Sequence, residues 1–180
     1  MLNPAPVVMI SCGSSIDEYN IITVAWAGTI CSDPAMCSIS IRPERHSYEL
    51  IKRDRAFVIN LATERLATAT DWCGVRSGRQ YNKFIETGLT PGKATHVQAP
   101  LIIESPVNIE CVVKEIIPLG SHDMFLSEIV AVHADEELFD KKSDALRLDQ
   151  SNLLAYSHGH YYLLGKRVGK FGFSVQKKSK

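Results

Sequence analysis

Seven short runs of β-branched, aromatic and apolar residues recur along the chain, at 7–11, 21–26, 36–41, 57–61, 107–113, 124–132 and 161–164. Helical periodicity between them is brief, covering only 48–53, 64–72 and 81–86. This inventory constrains the fold most. Strands alternating with long helices would build a doubly wound parallel sheet, whereas short strands joined by turns build an antiparallel barrel or sandwich. The chain therefore reads as mainly β, a β-barrel decorated with short helices. Within it, "VNIECVV" alternates, with Val107, Ile109, Cys111 and Val113 on one face and Asn108, Glu110 and Lys114 largely on the other. That is the pattern of a half-buried strand. "CGSSIDEYN" suits a hairpin connection, Pro91, Gly92, Pro100 and Pro106 break the middle into loop, and "HADEELFDKKSD" reads as a surface excursion.

No repeat or composition break divides the 180 residues, so one domain is expected over 1–180, with a basic tail from about 170. Twenty Lys and Arg balance twenty Asp and Glu. A neutral chain does not present the strongly basic face that nucleic acid demands. The locally basic "GKRVGKFGFSVQKKSK" reads as a solvated tail. Five cysteines, Cys12, Cys31, Cys37, Cys73 and Cys111, lack the CxxC spacing of a zinc site. Their odd number and the absence of a signal peptide imply reduced thiols in a cytoplasmic protein. No apolar run approaches the ~20 residues of a membrane span.

Chemistry gathers first in "IRPERHSYEL". A helix N-terminus offers unpaired backbone N–H groups and a positive dipole end, which favour phosphate. Whether that helix begins at Pro43 or at Ser47, the residues Arg42, Arg45, His46 and Ser47 lie within reach of one anion. "DWCGVRSGRQYNKF" places Ser77, Gly78 and Arg79 in a short loop, where glycine lets backbone amides approach a ligand and arginine supplies charge. No GxGxxG and no GxxxxGK[ST] occurs, so a phosphate ligand would bind without either device. In "NIITVAWAGTICSDP", small residues surround Trp26 at a strand end, giving the backbone access and apolar wall that a flat aromatic ligand needs. In "LLAYSHGHYYLLG", His158 and His160 are two apart, which on a strand would share a face; no acidic or cysteine partner completes a metal site, and none is expected.

Taken in order, "NIITVAWAGTICSDP", "SISIRPERHSYELI", "FVINLA", "DWCGVRSGRQYNKF", "APLIIESPVNIEC", "LGSHDMFLSEIVAVHAD" and "LLAYSHGHYYLLGKRVG" resemble the flavin reductase-like family of FMN-binding split barrels, in its flavoredoxin branch. The resemblance covers roughly 3–169. It implies a Greek-key split β-barrel with short helices that forms a homodimer and holds FMN noncovalently near the subunit interface. The phosphate would lie at the helix mouth, with His46, Ser47 and nearby amides around it and Arg42 as counter-charge. Ser77, Gly78 and Arg79 would complete the phosphate or ribityl contacts. Thr23, Val24, Ala25 and Trp26, with Ser40 and Ile41, would line the isoalloxazine. Asn60, Leu61 and Ala62 would bond its polar edge through backbone groups, and Cys73 would pack beside it. His158 or Tyr161 would approach the ring, leaving His160 the more exposed histidine.

The implied activity is an FMN oxidoreductase. FMN would accept hydride from NAD(P)H, or electrons from a redox protein partner, and pass them to a flavin or protein acceptor. The alternative is a flavin-binding electron carrier or flavin store without NAD(P)H turnover. A split barrel adapted to haem or pyridoxal phosphate ranks behind both. Because the cofactor carries the redox chemistry, no catalytic acid–base pair or nucleophile is expected. Two positions depart from the family's pattern: Tyr156 is followed by Ser157 rather than histidine, and Asn82 stands where an acidic residue usually precedes the "KF" pair.

Overall fold

The computed structural model describes residues 2–175; the end of the basic tail, 176–180, lies outside the described residues. The strands are β1 (Ala5–Pro6), β2 (Val8–Cys12), β3 (Asn20–Val24), β4 (Ala27–Ser32), β5 (Ala35–Ile41), β6 (Ala56–Leu61), β7 (Pro91–Gly92), β8 (Leu101–Ile102), β9 (Val107–Pro118), β10 (Asp123–Ala134), β11 (Leu154–Ser157) and β12 (His160–Leu163). Three helices interrupt them: α1 (His46–Asp54), α2 (Ala67–Val75) and α3 (Lys83–Thr87).

Seven strands pair antiparallel in the order β3-β2-β6-β9-β10-β5-β4. Side chains from both ends of that order meet in one core. Ile22 and Val24 of β3 pack with Ile39 and Ile41 of β5, and Phe57, Cys111 and Phe125 fill the space between. Strands so far apart in the sheet can share a core only if the sheet curls, as the inherent twist of strands promotes. The result is a mainly β, Greek-key split barrel. Helix α1 plugs it with Tyr48, Leu50 and Ile51. On the outer face, Met9 and Ile21 pack with Leu66, Cys73, Phe84 and Ile102 beneath α2 and α3. Strands β2 and β3 are thus buried on both faces, which explains their unbroken apolar runs.

Three expectations change. The run 21–26 ends early: β3 stops at Val24, and a further strand, β4, begins at Ala27 and forms a hairpin with β5. The weak β-formers Ala27 and Gly28 hid it; pairing with β5 and the Ser40 amide's bond to the Trp26 carbonyl (2.9 Å) hold it in place. The four-residue β11, too short for its alternation to register, pairs with both β1 and β12. Strand β9 is not half-buried over its first part, where its expected solvent face is covered, although Lys114 farther along stays exposed. Asn108 is 7% exposed and Glu110 0%, the latter beneath the backbone of Thr95, His96 and Val97.

Candidate functional site

Two adjoining clefts open where α1 begins, between β3, β5 and the loop joining α2 to α3. The smaller, about 220 Å³, lies against the first turn of α1, which starts at His46 with Arg45 as its flanking residue. Gly78 makes the cleft's shape possible. A Cβ there would come 2.2 Å from Asn20 Oδ1 and 2.8 Å from His46 Cδ2, so any side chain would push Asn20 aside. Asn20 in turn donates through Nδ2 to Ser47 Oγ at 2.7 Å, fixing the hydroxyl one residue into the helix.

Lys83 reaches this cleft from the start of α3 and is 2% exposed. Its Nζ donates to the Cys73 carbonyl at 2.6 Å and, among the described residues, pairs with no carboxylate. Burial lowers its ammonium to about 8. His46 is held below the ordinary imidazole range by burial and by the nearby Arg79 and Lys83 charges, so it stays neutral near pH 7. Arg45 donates through Nη2 to the Gly74 carbonyl at 2.7 Å and lines both clefts. Glu44, at the rim, turns toward Arg42 at 3.5 Å in an exposed pair. The cleft therefore holds excess positive charge in a partly dehydrated setting, where an oxyanion is strongly favoured.

The larger cleft, about 970 Å³, has the chemistry of a flat ligand's bed. One wall is the segment from Ile22 to Trp26, facing Ser40 and Ile41. Helix α2 closes another side. Thr23 donates through Oγ1 to the Thr70 carbonyl at 2.5 Å, and Gly74 lets the helix lie close, since a Cβ there would already be 3.3 Å from Thr23 Cβ. The β11–β12 hairpin supplies Tyr156, His158 and Tyr161. Tyr161 donates to Asp71 Oδ1 at 3.0 Å and meets the Tyr156 ring edge-on at 5.8 Å; burial and the Asp71 carboxylate raise its phenol to about 12. At the rim the exposed Trp26 ring meets His122 at a tilt of 45°, centroids 4.4 Å apart.

The structure brings most of the sequence's candidates together. Thr23, Val24, Ala25, Trp26, Ser40 and Ile41 line the large cleft, as do His158 and Tyr161. His46, Ser47, Ser77 and Gly78 line the small one. His158 lies in the hairpin turn, with φ +47° before Gly159 at +84°, so it does not share a strand face with His160. Both histidines are exposed.

Five candidates lie elsewhere. Asn60 is fully buried, donating to the Met9 carbonyl and Ser11 Oγ and accepting from the Ile102 and Asn108 N–H groups; its strand is interior, between β2 and β9. Leu61 and Ala62 line neither cleft; Leu61 packs on the barrel core, and Ala62 lies behind Val7, Tyr156 and Tyr161 of the large cleft's wall. Cys73 belongs to α2 rather than a loop, and burial pushes its thiol up to about 11. Arg79 faces an adjacent groove and donates to the Glu44 carbonyl at 3.0 Å. Arg42, expected opposite a phosphate, lines the large cleft and not the small one. The cations at the small cleft are Arg45, Arg76 and Lys83. Arg45 stood in the quoted helix-mouth motif, while Lys83's burial had no sequence signal beyond its place after the glycine loop.

A family model described as "Flavin reductase like domain" matches residues 1–165. The flavoredoxin of Desulfovibrio vulgaris (Miyazaki F) superposes with a TM-score of 0.90 at 27% identity, covering 98% of this chain and 95% of that one. A flavoredoxin from Methanosarcina acetivorans gives 0.84 at 21%, with the same coverage. In sequence, the NADH-dependent FMN reductase AsuE2 of Streptomyces nodosus subsp. asukaensis is 25% identical over 137 residues, 75% of this chain and 71% of that protein.

Proposed function

The chain belongs to the flavin reductase-like family, and from that premise we propose that it is an FMN-dependent oxidoreductase that draws hydride from NADH or NADPH and passes electrons to a flavin or protein acceptor. One observation carries this reading: a small cationic cleft opens directly into a wide aromatic-walled one, sharing Ile22, Arg45 and Val75. A flavin mononucleotide has that polarity, an anion at one end and a flat ring at the other. The donor set fits a phosphate monoester: Lys83 and Arg45 for charge, Ser77 for a hydroxyl, and Gly78 for the space a Cβ would fill.

FMN, when bound, supplies the hydride acceptance and electron release. The chain's own residues bind and orient. Lys83 and Arg45 fix the anionic end, Thr23 to Trp26 offer backbone groups and an apolar wall beside the ring, and Tyr156 and Tyr161 shelter the inner end from water. Tyr161 keeps its proton on the bond to Asp71. The AsuE2 relative supports a nicotinamide donor, and the flavoredoxin likeness supports the carrier alternative. We further read the chain as one domain over 1–180 in a cytoplasmic homodimer. Support comes from its five free cysteines and from Val168, Phe171 and Val175, each more than four-fifths exposed in a single chain. No helix among the described residues is long and apolar enough to cross a membrane.

The test is spectroscopic. Purified protein should carry, or take up, a yellow chromophore that bleaches when mixed anaerobically with NADH or NADPH. A yellow protein bleached only by a reduced protein partner would establish the carrier instead, and a protein taking up no FMN would overturn both.

A further inference from the structure

Lys83 is an amine as well as a cation, and the small cleft holds it in a state few lysines share. It begins α3 at 2% exposure, with Nζ donating to the Cys73 carbonyl at 2.6 Å. Its opening is the small cleft, about 220 Å³, room for about seven waters. No carboxylate pairs with it among the described residues, and burial, helped by the nearby Arg45 charge, leaves it at about 8. Roughly a tenth of the molecules then carry a free amine at pH 7, against fewer than about one in a thousand for an ordinary lysine. The neighbouring thiols are poor rivals as nucleophiles, because burial pushes Cys12 up to about 12 and Cys73 to about 11. His46, kept neutral near pH 7 by burial, lines the same cleft, and Glu44 at its rim faces Arg42. A nucleophile thus sits inside an anion site.

We propose that Lys83 is a self-acylation site for small acyl phosphates, and that its acylation shuts FMN out of the cleft. The inference rests on reading this cleft as the seat of FMN's phosphate. A cationic cleft of about 220 Å³ selects a small electrophile with a phosphate as its handle. The amine stands inside that anion site, so the reactive carbon must lie directly on a phosphate oxygen. A mixed anhydride of phosphate and a short carboxylic acid meets both conditions; a phosphate ester with a remote carbonyl does not. The free amine of Lys83 attacks the acyl carbon and forms a C–N bond. The C–O bond to the phosphate breaks, inorganic phosphate leaves with the electron pair, and the nitrogen's surplus proton passes to that phosphate. Arg45 and Arg76 offset the leaving group's charge as it develops. The product is a neutral amide where FMN's phosphate would meet a cation. FMN affinity then falls about ten- to a hundredfold, the worth of the lost charge-assisted contact, while riboflavin changes only a few-fold. Acylation therefore decides whether the site takes up flavin.

Full-length protein freed of flavin is incubated with acetyl phosphate at about pH 8, and acetylation of each lysine is timed by peptide mass spectrometry. Lys52 and Lys114, both exposed, serve as internal references. Lys83 should be acetylated at least about tenfold faster than either. Saturating FMN or inorganic phosphate should protect it, and riboflavin should protect it less. Acetic anhydride, which has no phosphate, should label the exposed lysines first. Arg45→Ala should slow labelling by acetyl phosphate about tenfold and labelling by acetic anhydride little. Lys83→Arg, which keeps a cation, should still take up FMN and lose the fast acetylation, with Tm as the check on folding. Slow labelling of Lys83 while FMN still outbinds riboflavin would overturn the proposal and leave the flavin reading standing. The same preference for Lys83 with acetic anhydride, or unchanged FMN affinity after acetylation, would also overturn it. Fast, phosphate-competed labelling in a protein that takes up no flavin would keep the acylation site and reject the flavin reading.

Discussion

Lys83 and Glu110 are both charged, both withdrawn from water, and opposite in what surrounds them. Glu110 is 0% exposed and accepts from the backbone N–H groups of Thr95 (2.7 Å), His96 (2.6 Å) and Val97 (3.0 Å), with His133 Nε2 at 2.6 Å. Burial alone would raise its carboxyl, but those donors outweigh burial and hold it at about 2. Lys83, at 2% exposure, bonds to a neutral carbonyl, and burial lowers it to about 8. A buried charge with its lone pairs filled holds a structure together. One left short of counter-charge, against an open cleft, is waiting for a ligand. Glu110 clamps the 93–99 loop over β9, whereas Lys83 has the unanswered charge that the proposed phosphate would meet.

The largest effect should follow from breaking the satisfied charge. Glu110→Ala leaves three amides without their acceptor, and each buried donor left unsatisfied costs about 1–3 kcal/mol. For a chain of this size that lowers Tm by roughly 10 °C or more. The pH dependence has a definite sign. The folded carboxyl titrates near 2 and the unfolded one near the model value of 4.5, so between them the unfolded chain binds more protons. Stability from Glu110 is present above about 4.5 and is lost as pH falls toward 2. Urea midpoints at neutral and acid pH should converge for wild type and Glu110→Gln as pH drops. Parallel curves would show that Glu110 does not stabilise the fold through its charge.

Lys83→Met removes the unsatisfied charge, and its signature should be inverted. Stability should hold or improve, because an unpaired buried ammonium is exchanged for an apolar side chain of similar length. FMN affinity should fall about ten- to a hundredfold, the worth of roughly 1.5–3 kcal/mol for a charge-assisted bond, while riboflavin, lacking phosphate, should change only a few-fold. Equal losses for the two ligands, or a large drop in Tm, would place Lys83 with Glu110 as a structural group.

Neither charge could be weighed from the sequence, though much around them could. The strand runs, the helix mouth and the glycine loop are local patterns, and the curled sheet follows from them. Glu110 reads as a solvent-facing residue of an alternating strand, because what covers it is the irregular 93–99 segment, which carries no periodicity. Lys83 stands in a quoted motif, but its burial depends on α3 packing over β3, a contact set by distant residues such as Met9 and Ile102. Arg42 and Arg45 are three apart in one loop, and only the turn of the backbone brings Arg45 to the small cleft while keeping Arg42 out of it. Asn60, expected to meet the ring's edge through its backbone, lines neither cleft. Its side chain closes a buried network with Ser11 and Asn108, which the strand's local pattern does not reveal.

The contrast also predicts how FMN binding responds to alkali. Lys83 attracts phosphate only while protonated. In the free protein half that charge is gone at about pH 8, so FMN affinity should decline above it, by at most about tenfold per pH unit. Riboflavin affinity should stay flat through the same range, as should FMN affinity in Lys83→Met. The free protein itself should gain stability as pH rises from about 8 toward the ordinary lysine range, since the folded state sheds its proton first. A fluorescence titration of both flavins from pH 7 to about 9.5 measures the difference; parallel curves would remove Lys83 from the phosphate site.

Arg53 supplies the control with the smallest effect, a charge that is fully partnered yet exposed. It reaches Glu18 Oε1 at 2.7 Å and Asp54 Oδ1 at 2.6 Å, tying the end of α1 to the β2–β3 turn, and its side chain is 49% exposed. In bond count it resembles Glu110. If satisfied bonds alone made a charge structural, Arg53→Ala should be nearly as costly as Glu110→Ala. Water, however, solvates both the intact pair and its separated members, salt screens their attraction, and the long side chain loses rotamer freedom when held. The expected change in Tm is therefore within about 2 °C at physiological salt. It should shrink further as salt is raised, with flavin affinity unmoved because the residue lines neither cleft. A Tm loss comparable to that of Glu110→Ala would mean that the number of partners, and not burial, separates the two kinds of charge in this protein.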